Sequence, residues 1–290
     1  MRHLVLILLV FACCACVHGR NYIRYHQQAL LVQEHLLRGE HRKALQLLSK
    51  LDKHYGLMPP DMFTRARCQA MVGDTAAARR SYLMSLERRA SIGWLYIEPP
   101  THRSATDSLW YEGVVAECLA YWRSRPQYAD GPNPGMPTAV TWANTRHQFV
   151  IDSLGSYDPV TQPEAQRAYD EVVRQHDQLL DSILTGKLPV PSIATYGSMD
   201  EFETFVLHCS STLTNGREKH FKKWLKQGLI FPRTYAICFD DLANETRRPI
   251  PYGYFNGLRP EELAPGHEKR RAAIGMGDDR MDKLRFHWGG

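Results

Sequence analysis

The sequence predicts a mainly α protein in which helical hairpins are followed by a second helical domain with at most a small β-hairpin. Three observations carry that expectation. Apolar residues recur at helical spacing in the long segments, as in Tyr169, Val172, Val173, Leu180 and Ile183. A glycine-led block near the N-terminus returns 34 residues later. The β-capable stretches are confined to Ile92–Pro100 and Arg247–Gly257. A length of 290 residues suggests about two domains. The expected division is 1–19 as an export signal, 20–130 as the hairpins and 138–290 as the second domain. With 43% hydrophobic and 23% charged residues, the chain is neither a disordered tail nor a collagen-like repeat. Its net charge of +5 is too small to argue for nucleic acid.

The N-terminus reads as an address. Arg2 and His3 form a short basic start, and Leu4 to Ala12 is an unbroken apolar run. That run has less than half of the roughly 20 residues needed to span a bilayer, so it reads as a secretory signal. Cys13, Cys14 and Cys16 close it, which resembles the lipobox of bacterial lipoproteins and implies lipidation at Cys13 or Cys16. The competing reading is ordinary cleavage after Gly19. The expected location is therefore the periplasm or the outer membrane, with secretion as the alternative. The remaining cysteines, Cys68, Cys118, Cys209 and Cys238, lie in apolar helical patterns without metal-ligand spacing and are expected as buried thiols. A Cys209–Cys238 bridge is the alternative pairing.

The first hairpins follow from punctuation. Gly39-Glu40 and Gly73-Asp74 stand 34 residues apart, as do Ala44 and Ala78, and Leu48 aligns with Tyr82. Glycine ends one helix, the acidic residue suits the start of the next, and the small alanine lets the paired helices approach. Pro59 and Pro60 open the third helix. This pattern resembles the tetratricopeptide repeat, with Ser85 standing where a small apolar residue is usual. Beyond an aromatic connection at Ile92–Pro100, a helix is expected from Ala105 to Arg125. The turn-rich stretch Asp130–Pro137 is the expected linker.

In the second domain, helices are expected over Thr138–Leu154 and Pro163–Leu184. Ser198 then caps a helix carrying Phe202, Phe205, Val206 and Cys209. Asn215-Gly216 opens another, and Pro232 starts one running through Asp241. A small hairpin is expected around Tyr252-Gly253, with helical fragments and loop at the end. The order Asp177-Gln178, Gly186, Pro189, Tyr196-Gly197, Phe205-Val206-Leu207-His208, Tyr235-Ala236, Asp240-Asp241, Tyr252-Gly253 and Arg270-Arg271 resembles an uncharacterised, mostly helical bacterial domain found in exported proteins. The resemblance covers about 140–283 and implies a fold and a candidate site rather than a reaction. Tyr254-Phe255 replaces the glutamine-bearing extension usual after Tyr-Gly.

The expected chemistry centres on His208, which follows an apolar run, with Asp240 or Asp241 facing it from another helix. Such a pair can serve as a general base or as a metal ligand oriented by a carboxylate. The bland reading is a structural pair that holds two helices in register. His176-Asp177, Tyr252 and Arg271 are the other candidates to line the same site. Serine-hydrolase, phosphate-loop, zinc-protease and dinucleotide signatures are absent from the sequence, and no cofactor is expected. The segment Arg217–Leu229 sets Arg217, Lys219, Lys222, Lys223 and Lys226 around His220, Phe221 and Trp224. It reads as a solvated helix with inward aromatics, or as a membrane-surface helix. The functional expectation is an exported protein-interaction scaffold that binds a protein or peptide partner. Nucleic acid is excluded, and membrane contact comes only through an N-terminal lipid. The alternative is a hydrolase-like or metal-assisted enzyme centred on His208.

Overall fold

The computed structural model describes residues 21–88, 95, 105–124, 138–154, 163–191, 200–209, 217–253 and 260–277. The signal and the linker at 131–137 lie outside them, as does the Tyr196-Gly197 motif. Among the described residues the architecture is mainly α. Its helices are α1 (Tyr22–Leu37), α2 (His41–Tyr55), α3 (Pro59–Met71), α4 (Thr75–Glu87), α5 (Ala105–Arg123) and α6 (Thr138–Leu154). They continue with α7 (Pro163–Leu184), α8 (Asp200–Leu207), α9 (Glu218–Gln227), α10 (Pro232–Glu245) and α11 (His267–Ile274). None of the described helices is long and apolar enough to cross a membrane.

The first four helices form two hairpins, α1 on α2 and α3 on α4, with α2 against α3. Both end their first helix in the same way. Gly39 N–H donates to Leu36 O and Glu40 N–H to His35 O, and Gly73 N–H donates to Ala70 O and Asp74 N–H to Gln69 O. Both glycines hold positive φ, +71° and +87°, which this double-bonded cap requires. Asp74 then caps α4 through its side chain, accepting from Ala77 N–H at 3.0 Å. Ser85, the departure from the repeat pattern, is fully buried and donates to Tyr82 O, so its hydroxyl is satisfied within its own helix. Pro59 and Pro60 occupy the first turn of α3. There Tyr25 Oη donates to Asp61 Oδ2 at 2.6 Å and accepts from Met58 N–H at 3.0 Å, which ties α1 to the start of α3.

Two apolar cores result. One is built on α3, α4 and α5, from Phe63, Ala66, Ala78, Tyr82, Leu86, Val114 and Cys118. The larger joins Tyr25, Ala29, Leu48 and Leu51 to Val140, Leu180, Phe202, Phe205, Phe221, Phe231 and Tyr235. It therefore runs on both sides of the expected linker. Close approach of α1 to the C-terminal helices depends on Gly275, where a Cβ would collide with Cβ of His26, and on Gly228, which lies under the ring of Tyr22.

The helix expected from about Ala105 to Arg125 is present as Ala105–Arg123. Of the stretch able to hold a small hairpin, 254–257 lie outside the described residues, and the described part makes a parallel bridge between Ile250 and Leu263. Backbone groups at Tyr252 are bonded elsewhere: its N–H donates to Asp240 and its O accepts from Arg271. Cys68, Cys118, Cys209 and Cys238 are free, buried thiols as expected, and the alternative Cys209–Cys238 bridge is not formed. Burial raises the Cys68 and Cys118 thiols to about 12.

Candidate functional site

The residues singled out in the sequence fall into two groups of contacts. Asp240, Tyr252 and Arg271 form the first, and it is a brace. Fully buried Asp240 accepts from Tyr252 N–H at 2.8 Å. Arg271 donates to Tyr252 O at 2.9 Å and to Gly277 O at 2.7 Å. These bonds pin the chain after α10 against α11. Asp241, half-buried on α10, acts on the Cys238 thiol as a nearby negative charge. Tyr235 and Phe239 pack their rings near Tyr252, at 6.0 and 5.9 Å between centroids.

His208 belongs to the second group, and its neighbours are histidines rather than the aspartates. His147 from the middle of α6 and His176 from the middle of α7 meet it just past the end of α8. The His147 and His208 rings are stacked, with centroids 3.6 Å apart and planes at 21°. His176 sits edge-on to both, at 5.5 Å from His147 and 5.8 Å from His208. Phe205 stacks on the His176 ring at 5.3 Å, and Tyr169 lies 5.6 Å from His147. The helices deliver these side chains by simple periodicity. Val140, Ala143 and His147 follow one buried stripe of α6, and Val172, His176, Leu180 and Ile183 follow one of α7.

The hydrogen bonding of the three rings is unequal. His176 Nδ1 lies 2.9 Å from the carbonyl oxygen of Val172. A carbonyl can only accept, so Nδ1 carries the proton and Nε2 of the neutral ring is a bare lone pair. That Nε2 is buried without a hydrogen-bond partner, as are both ring nitrogens of His147 and Nδ1 of His208. His147 and His176 are 2% and 0% exposed. Each unmatched buried polar atom costs about 1–3 kcal/mol. The cluster is thus held in place by the packing around it.

Electrostatics keep the rings neutral. Burial lowers the His208 imidazole to about 4, with repulsion from His147 and His176 adding to the effect. Burial also lowers His147, again with repulsion from His176. His176 is lowered by burial, partly offset by its bond to Val172 and by the charge of Asp177. An imidazole of that acidity is unprotonated at neutral pH but a weak proton acceptor. It is therefore poorly matched to general-base work at neutral pH. As the rings stand, no set of three or more His, Cys, Asp or Glu side chains among the described residues is arranged to hold a metal ion.

Charged neighbours frame the cluster. Arg217, buried at the start of α9, donates to Asp181 at 2.6 Å and Asp177 at 3.5 Å and so locks α9 to α7. Arg146 donates to Gln175 at 2.7 Å across the α6–α7 seam. The rest of the basic helix is conventional: Phe221, Trp224 and Leu225 are buried, while Lys219, Lys222, Lys223 and Lys226 are exposed. Its apolar face is already occupied by protein. Sequence reasoning raised His208 and His176 but missed His147, although a histidine on the Val140–Ala143 stripe was the available signal.

The chain matches no protein-family model, no curated protein and no solved structure. The functional reading therefore rests on its own residues.

Proposed function

We propose that the protein is exported and acts as a scaffold that binds a protein or peptide partner through its N-terminal hairpins. The observation that carries this reading is the pair of hairpins whose first helices end in the same glycine cap, in 34-residue register, Gly39 to Gly73. Stacked hairpins of this type offer a continuous surface suited to an extended partner. The resemblance of the same residues to tetratricopeptide repeats supports it. The partner's chemistry follows from charge. Residues 21–88 hold 11 Lys and Arg against 6 Asp and Glu, an excess equal to the +5 of the whole chain. Arg42, Lys50 and Lys53 on α2 and Arg80 on α4 are exposed, while Lys43 and Arg79 are already paired with Glu40 and Glu117. An acidic segment is the complementary ligand.

Photo-crosslinkers at Gln46 and Arg80, exposed positions that are equivalent across the 34-residue step, test the reading in cells. Both should capture the same acidic protein, Lys50→Glu should abolish the adduct, and a crosslinker at exposed Arg167 on α7 should not form it. No shared adduct, or the same adducts from all three positions, overturns the proposal. Export is checked by sequencing the mature N-terminus. A start at Cys13, Cys16 or Arg20 supports it, and a retained Met1 sinks it.

A further inference from the structure

We propose that His147, His176 and His208 constitute a binding site for a divalent late first-row transition ion such as Zn2+, reached when the stacked rings of His147 and His208 part. The donor set is chemically right, because neutral imidazole is a favoured ligand for these ions. His176 is already configured as a ligand: Nδ1–H is bonded to Val172 O, and Nε2 is a buried lone pair without a hydrogen-bond partner. Fixing the outer nitrogen in this way is how proteins orient a metal-ligating histidine. His147, 2% exposed and packed against both other rings, adds two more buried ring nitrogens without partners.

Distances define the motion required. Three imidazoles on one tetrahedral ion, with Zn–N of about 2.0–2.1 Å, have ring centroids about 5 Å apart. His176 already stands 5.5 and 5.8 Å from its two neighbours. The 3.6 Å stack of His147 on His208 must open, by roughly 1.5 Å. His208 is placed to make that move, because it follows the last residue of α8 and is half-buried, whereas the other two are interior to long helices. The proposal is independent of the scaffold reading, which concerns α1–α4.

The test uses the untagged mature chain, stripped with chelator and titrated with Zn2+ by calorimetry and with Co2+ by its visible d–d absorption. The expected result is one equivalent bound and an upward shift of the melting temperature. His208→Ala and His147→Ala should each weaken binding at least about tenfold, the lower end of what losing even an outer-sphere partner costs. His54→Ala, an exposed site on α2, should bind as wild type. Should His147→Ala fail to fold, His208→Ala at the helix end and the 15N shift of His176 Nε2 on adding Zn2+ to wild type decide the matter. A chain that takes up no ion, equal affinity in wild type and His208→Ala, or an unmoved His176 Nε2 resonance overturns the site.

Discussion

His147, His176 and His208 each titrate near pH 6.5 in an unfolded chain and lower in the folded one, because burial opposes the charged ring. The sign of the pH effect follows. Below 6.5 the unfolded state binds more protons than the folded state, so folding stability falls as the solution is acidified. For His208 the loss spreads from about 6.5 down to about 4. Urea denaturation of metal-free protein across that window should show declining stability, with a shallower decline in His208→Ala. Equal slopes in the two proteins would mean that His208 titrates normally. Tyr25 makes a second residue-scale prediction. Tyr25→Phe keeps the buried ring but strips a donor from Asp61 Oδ2 and an acceptor from Met58 N–H. A loss of about 1–3 kcal/mol in denaturant titration is expected, whereas a neutral result would show that water replaces the hydroxyl at no cost.

Helix ends separate what is local from what is tertiary. Gly39 and Gly73 have positive φ, and a Cβ there would meet nothing within 4 Å. Gly39→Ala should therefore cost only the left-handed backbone penalty, roughly 1–2 kcal/mol. Gly275 has a similar φ of +81°, but a Cβ there collides with His26 Cβ and lies 2.9 Å from the Gln27 nitrogen, both on α1. Gly275→Ala should lower the melting temperature clearly more than Gly39→Ala. Equal effects would mean that α11 yields without disturbing α1. The same division explains what the sequence could reveal. The caps at Gly39 and Gly73, the prolines opening α3, and the apolar stripes of α6 and α7 are set by neighbours within one turn, so they are legible in order along the chain. The partners of His208 are not. An apolar run shows that a helix is buried, but not which helix faces it. His208 accordingly looks equally suited to meet Asp240, whose carboxylate is committed to Tyr252 N–H, and His147, which it actually stacks upon.

The larger core makes α1 a structural partner of helices more than 190 residues away. Tyr22 covers Gly228, the His26 ring lies 6.2 Å from that of Phe231, and Gln27 donates to Ala272 O at 3.1 Å. Tyr25 and Ala29 share one apolar cluster with Phe231, Tyr235, Ile274 and Met276. Composition and turn residues suggest a boundary at 131–137, and a chain that respected it would tolerate division there. Burial argues for a different outcome, since removing α1 and α2 uncovers the apolar faces of α9, α10 and α11 at about 25 cal/mol for each Å2 of apolar surface returned to water. Residues 138–290 expressed alone should bind a hydrophobic dye and unfold over a broad range. Adding residues 21–88 in trans should suppress the dye signal and sharpen the transition. If the isolated C-terminal segment instead melts in one steep step without binding dye, its core closes on itself and α1 contributes docking rather than folding.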